Sequence, residues 1–517
     1  MPLERYPDLE LQLQVSEKRL THNLLLEELD IIYVVGLFDG RPFLELEGWL
    51  KPGRHLVFLE DDLEAVRRAV SMEWAKRCFH HPQVHLKFLQ GNQEWALEQI
   101  AKEFPCHRAA IIGRKSKLKL SLLRKTVLWH SAISEVLSGH LLFHNIRSNF
   151  YRMPKNFYVN QTRDAFKNCP IIICGAGPSL STAMGEIAKL QDRALIIGCG
   201  SALSIFSHWG VRPHLGIAID PNPSEKEALQ GCQFHDLPLI YGNRICPGVF
   251  EFFDGPCGLI KTPSATPLEK AIEEELGLQE DPIGQDLGRE ALSVTTLALS
   301  LAQFWGCSPI ILAGVDLAYS GNEHYAEGAQ RKLKKKAEET SVGEQLLCRR
   351  GIGGKKVATL LKWVMEKETI DGFATKYSDQ KFIDATTTGL GFDAIGHTPW
   401  NKMGIEDVLP IEQMVQKMVS LSPISVTEEQ LSQVLGSFQE SFLRCLELVK
   451  KLDQEEVDGG KAVLYEEDLT CEKVFAPVLQ PALVALEITH KLRSETPFAI
   501  QKWKFLREII EGYTHRD

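Results

Sequence analysis

The chain has 517 residues, of which 44% are hydrophobic and 24% charged, and its formal net charge is −10. This composition is typical of a soluble globular protein of roughly three domains, and it excludes collagen-like or wholly disordered structure. The acidic balance argues against a protein that coats nucleic acid, because such binding requires a basic surplus.

The amino-terminal residues MPLERYPDLELQLQVSEK lack the apolar core of a signal peptide. The longest apolar runs, such as Ile171–Cys174 and Ile310–Ala313, are too short to cross a bilayer. The twelve cysteines form no C-x-x-C pair, which favours buried free thiols in a reducing compartment. We therefore expect a cytoplasmic protein without an integral membrane segment.

Residues 1–150 are predicted to form an amino-terminal Rossmann-like α/β domain, since short apolar runs alternate with helical patterns. The predicted strands begin at Ile31, His55, Val84 and Ala109. The segment Gly36–Gly40 faintly resembles a dinucleotide-binding turn, and Glu60 ends the second strand. Because the G-x-G-x-x-G spacing is missing, a simple βα turn explains both features better than a cofactor site.

Residues 151–405 are predicted to form a doubly wound, Rossmann-like central domain. Apolar strand patterns begin near Pro170, Ala194, Leu215, Leu237, Gly258 and Pro309, and a helix is predicted over Ser293–Trp305. A basic run, Arg331–Lys336, suits a solvated helix or loop, or alternatively a lid over an anion. Residues 406–517 show apolar stripes at helical spacing, which predicts a carboxyl-terminal helical bundle.

The strongest candidate for a binding site is the segment Gly175-Ala176-Gly177-Pro178-Ser179. It follows an apolar strand and precedes a helical pattern, and its small residues permit close approach of a ligand to the backbone. Amides at the start of the helix would then face a phosphate, and the Ser179 hydroxyl would add a hydrogen bond. No G-K-[ST] follows, so a P-loop is not predicted. An empty βα turn is the alternative.

Other candidates follow later strands, whose carboxyl ends meet at one edge of a parallel sheet. Asp220 and Asn222 would orient a nucleoside or hold magnesium through water, or Asp220 would simply cap a turn. Asp316 and His324 are candidate catalytic residues, with His324 as general base. Two further segments at this edge are Asn243-Arg244, whose guanidinium suits a phosphate or carboxylate, and Asp384–Gly389, rich in hydroxyl groups.

Taken together and in this order, these segments resemble the Maf (motility accessory factor) and MptE-like family. The matching segments are Cys174–Leu180, Gly198–Leu203 with Ser201, Gly210–Pro223, Ser293-Val294, Gly314–Tyr319, His324, Ala385–Gly389 and the N-x-x-x-N pattern of Asn145 and Asn149. The resemblance implies a central domain similar to bacterial sialyltransferases.

The family resemblance also implies a function. Maf proteins are implicated in moving nonulosonic acids from CMP-activated donors to flagellin hydroxyl groups, without a required cofactor. The MptE branch instead moves pyrophosphate from ATP to 6-hydroxymethyl-dihydropterin with magnesium. Only Asp220 stands where that branch has an acidic pair, which favours the glycosyltransferase, with a CMP-sugar donor and a protein acceptor as partners. The remaining alternative is a non-catalytic binding or chaperone-like module.

Overall fold

The computed structural model describes residues 26, 29–89, 91, 93–106, 108–112, 116–287, 293–321, 323, 325–330, 346–454, 459–494 and 497–514. Contacts between Cα atoms group the chain into two units. Of the described residues, those up to 140 and those from 439 onward form the first unit, and those from 141 to 438 form the second. The division into three domains at 150 and 405 stays a prediction about folding units.

The first unit contains a four-stranded parallel sheet in the order β3-β2-β1-β4. Its strands are β1 Ile31–Val35, β2 His55–Glu60, β3 Val84–Phe88 and β4 Ala109–Ile112. Side chains alternate between two cores: Ile31 and Tyr33 lie on one face of the sheet, and Ile32 and Val34 on the other. Both faces are covered, as parallel sheets require, and the predicted α/β pattern is confirmed.

Helices accompany this sheet in the first unit, and two of those named here, Gly139–Phe150 and Glu428–Leu452, continue into the second unit. The helices before residue 151 are α1 Arg41–Leu46, α2 Leu63–Val70, α3 Glu73–Phe79, α4 Gln93–Glu103, α5 Ser116–Leu137 and α6 Gly139–Phe150. The helices after residue 438 are the end of α14 Glu428–Leu452, then α15 Gly459–Cys471, α16 Gln480–Arg493 and α17 Phe498–Thr514. The predicted stripe on α14 is buried at Phe438, Phe442 and Val449, so the helical carboxyl-terminal region is confirmed.

The second unit is built on an eight-stranded, all-parallel sheet in the order β14-β11-β6-β7-β8-β9-β10-β5. Its strands are β5 Phe157–Tyr158, β6 Ile171–Cys174, β7 Leu195–Cys199, β8 Leu215–Ala218, β9 Leu239–Gly242, β10 Cys257–Ile260, β11 Ile310–Ala313 and β14 Phe382–Asp384. A separate antiparallel hairpin pairs β12 Leu346–Arg350 with β13 Lys356–Leu360.

Helices cover both faces of the large sheet. They are α7 Leu180–Ala188, α8 Ala202–His208, α9 Pro223–Leu229, α10 Pro267–Glu275, α11 Val294–Phe304, α12 Leu361–Lys376 and α13 Ile411–Leu421. Ile171 and Ile173 of β6 enter one core, whereas Ile172 and Cys174 enter the other. The doubly wound architecture predicted from the alternation of strands and helices is therefore confirmed.

The strand order creates a topological switch point at β6. After β6 the chain moves to β7 on one side and continues outward to β10, whereas β11 and β14 lie on the other side of β6. In open α/β sheets, ligands bind at the carboxyl ends of the strands where the order reverses. Here that position is the space after β6 and β11.

Two further observations bear on the sequence predictions. All twelve cysteines are free thiols, and Cys174 and Cys199 are buried. Among the described residues no single helix is long and apolar enough to cross a membrane, although one pair of helices, Gly459–Cys471 and Phe475–Arg493, bent by 95°, passes on length and composition alone.

Candidate functional site

The turn after β6 lies directly against the end of β11. The Gly175 amide donates to Ala313 O at 2.9 Å, and the Gly177 amide donates to Gly314 O at 2.8 Å. A Cβ atom on Gly177 would lie 2.7 Å from that carbonyl oxygen and 2.1 Å from Asp316 Oδ2. Only glycine fits at this position, and the reason is contact with the protein itself.

Asp316 lies beneath this turn and holds it. Its Oδ2 accepts hydrogen bonds from Ser179 Oγ at 2.8 Å and from the Ser179 amide at 3.3 Å, while its Oδ1 accepts one from Thr388 Oγ1. The side chain is 2% exposed. Burial raises the pKa of Asp316 to about 6, although the hydroxyl donors Thr388 and Ser179 oppose this. A carboxyl group that titrates near neutrality therefore sits at the switch point.

These contacts differ from the predicted arrangement, in which the turn amides face a phosphate. The Gly177 amide donates to Gly314 O and the Ser179 amide donates to Asp316 Oδ2, because the segment after β11 packs directly against the turn. Asp316 takes the place of the expected anion at the start of α7. The tip of the turn, Ala176–Pro178, stays half-exposed. Phosphate binding by this turn stays a prediction, and the half-exposed tip is the part that a ligand can approach.

The segment after β14 closes the other side of Asp316. Asp384, the last residue of β14, is buried, and its Oδ1 accepts a hydrogen bond from the Thr386 amide at 2.9 Å. Burial raises the pKa of Asp384. Thr386 Oγ1 in turn accepts the Val315 amide at 3.4 Å. A Cβ atom on Gly389 would lie 2.0 Å from Asp316 O. The hydroxyl-rich segment therefore lines the switch point by supporting the loop that carries Asp316.

Two carboxyl groups that the sequence analysis missed lie near the end of β7: Glu225 beside Gly200, and Glu366, whose charge acts on Cys199. Ser201 is 7% exposed and follows Gly200, whose amide donates to Ile217 O at 2.8 Å. A Cβ atom on Gly200 would meet Glu225 Oε1 at 3.5 Å. Glu366, on α12, accepts a hydrogen bond from Ser293 Oγ, the cap of α11, and burial raises the pKa of Glu366. No local signal marks Glu366, since 73 positions separate it from Ser293.

The loop after β8 is held by its own side chains. Asp220 Oδ1 accepts both the amide and the Nδ2 of Asn222, at 2.9 and 2.7 Å. Asp220 is half-exposed at the carboxyl end of the sheet. Asp220 therefore caps the turn at the end of β8. It also presents a carboxylate at the edge of the sheet where ligands bind in this class of fold.

The N-x-x-x-N pattern on α6 has a direct structural explanation. Asn149 Nδ2 donates to Asn243 O and Ile245 O at 2.9 and 2.8 Å. One helical turn earlier, Asn145 Nδ2 donates to Pro221 O at 2.9 Å and Arg244 O at 3.1 Å. Spacing by four residues places both amides on one face of the helix. The two asparagines thus fix the loops after β8 and β9, which are adjacent in the sheet.

Arg244 lies half-buried in the loop that Asn145 and Asn149 hold. Its Nη1 donates to Ser264 O at 3.0 Å. Asn243, beside it, is 5% exposed, and neither polar atom of its side chain has a hydrogen-bond partner in the described part of the chain. A buried side-chain amide without hydrogen bonds is uncommon in folded proteins. The end of β9 is therefore a place where a polar ligand group would find both a donor and an acceptor.

His324, the predicted general base, lies outside the described residues, as does the basic run Arg331–Lys336. The neighbouring described residues rest on the turn after β6. The Ala326 amide donates to Ala176 O at 2.9 Å, and the Glu327 amide donates to Ser181 Oγ at 3.1 Å. Ala326 and Glu327, which follow His324 in the sequence, therefore lie against the turn after β6 and the start of α7.

In the first unit, the glycine turn after β1 shows the contacts of a simple βα turn. A Cβ atom on Gly40 would lie 2.2 Å from the Trp74 ring, so packing explains the glycine. Glu60 Oε1 accepts the amides of Asp61 and Asp62, each at 3.0 Å. Contacts within the first unit therefore explain both the glycine turn and the position of Glu60.

The fold and the edge just described define a doubly wound α/β protein with buried acids at its switch point. Residues 144–322 match the family model described as 6-hydroxymethylpterin diphosphokinase MptE-like. The structure is similar to that of the MAf glycosyltransferase from Magnetospirillum magneticum AMB-1, with a TM-score of 0.56 and 14% sequence identity over 94% of this chain and 78% of that one. No curated protein matches the chain.

Both findings agree with the resemblance to the Maf and MptE-like family that the motifs predict: the family model matches the central part of the chain, and the fold is like that of a MAf glycosyltransferase. The matched range includes Asn145 and Asn149, whose side-chain amides hold the loops after β8 and β9. It also includes the turn at Gly175–Ser179, Asp220 and Asp316.

Proposed function

We propose that this protein is a glycosyltransferase that moves a sugar from a nucleotide-activated donor to a protein hydroxyl group, and that the donor is a CMP-activated nonulosonic acid. The observation that carries the proposal is the buried Asp316, which holds the turn after β6 at the switch point of the sheet and whose pKa burial raises to about 6. Perturbed acids concentrate at functional sites. The likeness in fold to a MAf glycosyltransferase supports this choice of reaction.

The donor is proposed to lie along the carboxyl edge of the sheet. From β6 to β9 the edge spans three strand spacings, roughly 14 Å, which suits an extended nucleoside monophosphate with its sugar. The half-exposed tip Ala176–Pro178 permits close approach at one end. At the other end, the Arg244 guanidinium suits a phosphate or carboxylate. Asp220, between them, is assigned to the nucleoside.

The chemistry follows from these positions. The bond between the anomeric carbon and the phosphate oxygen breaks with its electron pair going to CMP, and a bond from the acceptor oxygen to that carbon forms. The acceptor proton goes to a base, for which His324 is the predicted residue. Asp316 is a positioning residue, because its oxygens are engaged by Ser179 and Thr388 beneath the turn.

The diphosphokinase remains the second candidate, because the family model that matches the central domain is described by that activity. It would use magnesium, which one or two carboxylates and the substrate phosphates can hold. Asp220, Glu225 and Glu366 are carboxylates close to this edge. Among the described residues no three His, Cys, Asp or Glu side chains group closely enough to hold a metal on their own.

A calorimetric titration with CMP, CDP, ADP and ATP, each with and without magnesium, tests the proposal. We expect CMP and CDP to bind at least about tenfold more tightly than ADP, without magnesium. Equal affinity for CMP and ADP overturns the donor assignment. Magnesium-dependent release of AMP with 6-hydroxymethyl-dihydropterin supports the diphosphokinase instead, and the absence of all nucleotide binding supports a non-catalytic module.

Matched variants locate the binding site. Asp220→Asn is expected to weaken CMP binding, whereas Asp379→Asn, at an exposed position on the same unit, is the control for removal of one charge. Asp316→Asn is expected to lower kcat more than it raises KM for a CMP-activated donor, because a positioning residue acts on the bound state. An unchanged kcat would remove Asp316 from the mechanism.

A further inference from the structure

The first unit contains a cavity of about 490 Å³ at the edge of its sheet opposite to the one where α/β proteins usually bind ligands. Asp30 lies just before β1, Arg54 and His55 lie at the start of β2, and Arg108 lies just before β4. Because these strands are parallel, all four residues lie at the amino ends of the strands. The cavity is therefore distinct from the weak glycine turn after β1, which lies at the carboxyl edge.

Positive charge dominates the lining. Four cationic side chains contribute to it, against a single carboxylate, Asp30. The cations are Lys51, Arg54, Arg108 and Arg493. Such a surplus stands out in a chain whose formal net charge is −10, because composition alone would favour acidic neighbours.

The one carboxylate does not neutralise this surplus. Asp30 is engaged by Arg108, whose Nη2 and Nε donate to its two oxygens at 2.8 and 3.0 Å. Within the described part of the chain, Lys51 and Arg493 make no ion pair, and both are exposed. Two cations of this cavity thus have no protein anion to balance them.

His55, which lines the cavity, does not add to this charge. His55 Nε2 pairs with Leu492 O at 2.8 Å, and His55 Nδ1 pairs with His85 Nε2 at 3.1 Å. With both ring nitrogens engaged inside the unit, His55 forms part of the wall. Burial lowers the pKa of His55 and lowers that of His85 to about 4, so this pair stays neutral at physiological pH.

A structural explanation accounts for only part of the cluster. Arg493 is the last residue of α16, where a basic side chain complements the helix dipole. Arg54 is partly satisfied by Trp49, whose ring centre lies 5.9 Å from the guanidinium carbon. Lys51 lies in a tight turn before β2, two residues after the single-turn 3-10 helix Glu47–Trp49. Such a short helix has only a small dipole, and Lys51 makes no ion pair within the described part of the chain.

We propose that this cavity binds a small oxyanion-bearing molecule, with a phosphate ester or phosphoanhydride as the recognised group. Arginine forks match phosphate oxygens in paired hydrogen bonds, and a lysine adds a mobile charge. The volume is in the range of small-molecule sites, which runs from about 300 to 1,000 Å³. Such a ligand would bridge Lys51 and Arg493 beside Arg54, and it would supply negative charge to the two cations that make no ion pair within the described part of the chain.

Calorimetric titration of the full chain with inorganic pyrophosphate tests the proposal, at about 0.15 M salt so that diffuse surface attraction is screened. We expect saturable binding to one site, weakened about tenfold or more in the double variant Lys51→Gln/Arg493→Gln, since charge-assisted hydrogen bonds are lost. Citrate as a second probe distinguishes a carboxylate ligand from a phosphate: tighter binding of citrate overturns the phosphate assignment.

The matched control is Lys76→Gln/Lys450→Gln, which removes the same charge from exposed positions of this unit that do not line the cavity. Equal loss in the two double variants, or no saturable binding of pyrophosphate, overturns the proposal. Tighter binding of a poly-glutamate peptide than of pyrophosphate also overturns it, in favour of an acidic peptide. Binding that is lost in Asp316→Asn places the anion in the second unit and overturns it as well.

Discussion

Replacing Asp316 with asparagine is expected to stabilise the protein at neutral pH while impairing its function. The side chain is 2% exposed, and burial raises the pKa of Asp316 from 3.8 to about 6. Ionisation of this carboxyl group is therefore harder in the folded protein than in the unfolded chain. Stability from this group is full below pH about 4 and falls as pH rises through about 6.

The magnitude follows from the shift. At 1.36 kcal/mol per unit of pKa, ionised Asp316 destabilises the fold by about 3 kcal/mol near pH 7.5, and by about 1 kcal/mol near pH 4.5. Asparagine keeps an acceptor for Thr388, and the Ser179 hydroxyl can turn to accept from the new amide. The Ser179 amide, at 3.3 Å, loses its acceptor, which costs about 1 kcal/mol.

Urea denaturation of the second unit, compared between wild type and Asp316→Asn at the two pH values, measures this effect. We expect the free energy of unfolding of the variant, measured relative to that of the wild type, to be about 2 kcal/mol higher near pH 7.5 than near pH 4.5. The exposed Asp379→Asn controls for the chemical change and is expected to stay within about 0.5 kcal/mol. A difference between wild type and Asp316→Asn that does not grow with pH would refute the reasoning.

Two further substitutions test the contacts around the site by thermal unfolding. Asn149→Ala leaves the buried carbonyl groups of Asn243 and Ile245 without their donor, and is expected to destabilise the protein by about 2 to 5 kcal/mol. An unchanged midpoint of thermal unfolding would contradict the role of the Asn149 side chain in holding the loop after β9. Gly177→Ala places a Cβ atom 2.1 Å from Asp316 Oδ2, and is expected to destabilise by about 1 to 3 kcal/mol. Its control, Gly185→Ala, meets no atom within 4 Å inside α7, and is expected to stabilise by up to about 1 kcal/mol; equal effects of the two would contradict the proposed contact.

Several local features of the site were predictable from the sequence. Short apolar runs between helical patterns can be satisfied only in a sheet covered on both faces, so the strands at Ile31, Ile171 and Ile310 were predictable without tertiary information. The turn at Gly175–Ser179 was predictable because small residues after a strand permit a tight turn before a helix. The N-x-x-x-N pattern was visible, although the loops that it holds were not.

The contacts that define the site depend on distant parts of the chain. Ser179 and Asp316 are 137 positions apart, and Ser293 and Glu366 are 73 apart. Strand order brings them together, since β11 returns to lie beside β6 after four other strands. Sequence patterns report periodicity over a few residues, so they predicted a phosphate at the turn, whereas packing placed a carboxylate there.

For this protein, the sequence alone determined the α/β class, the resemblance of the central segments to the MptE-like family model and the position of the glycine turn, because each depends on residues close together in the chain. Only the tertiary structure decided that Asp316 fills the start of α7 and that cations from three separate segments surround one cavity. The physical reason is that desolvation, charge pairing and steric contact act between neighbours in space, and those neighbours are set by the order of strands in the sheet.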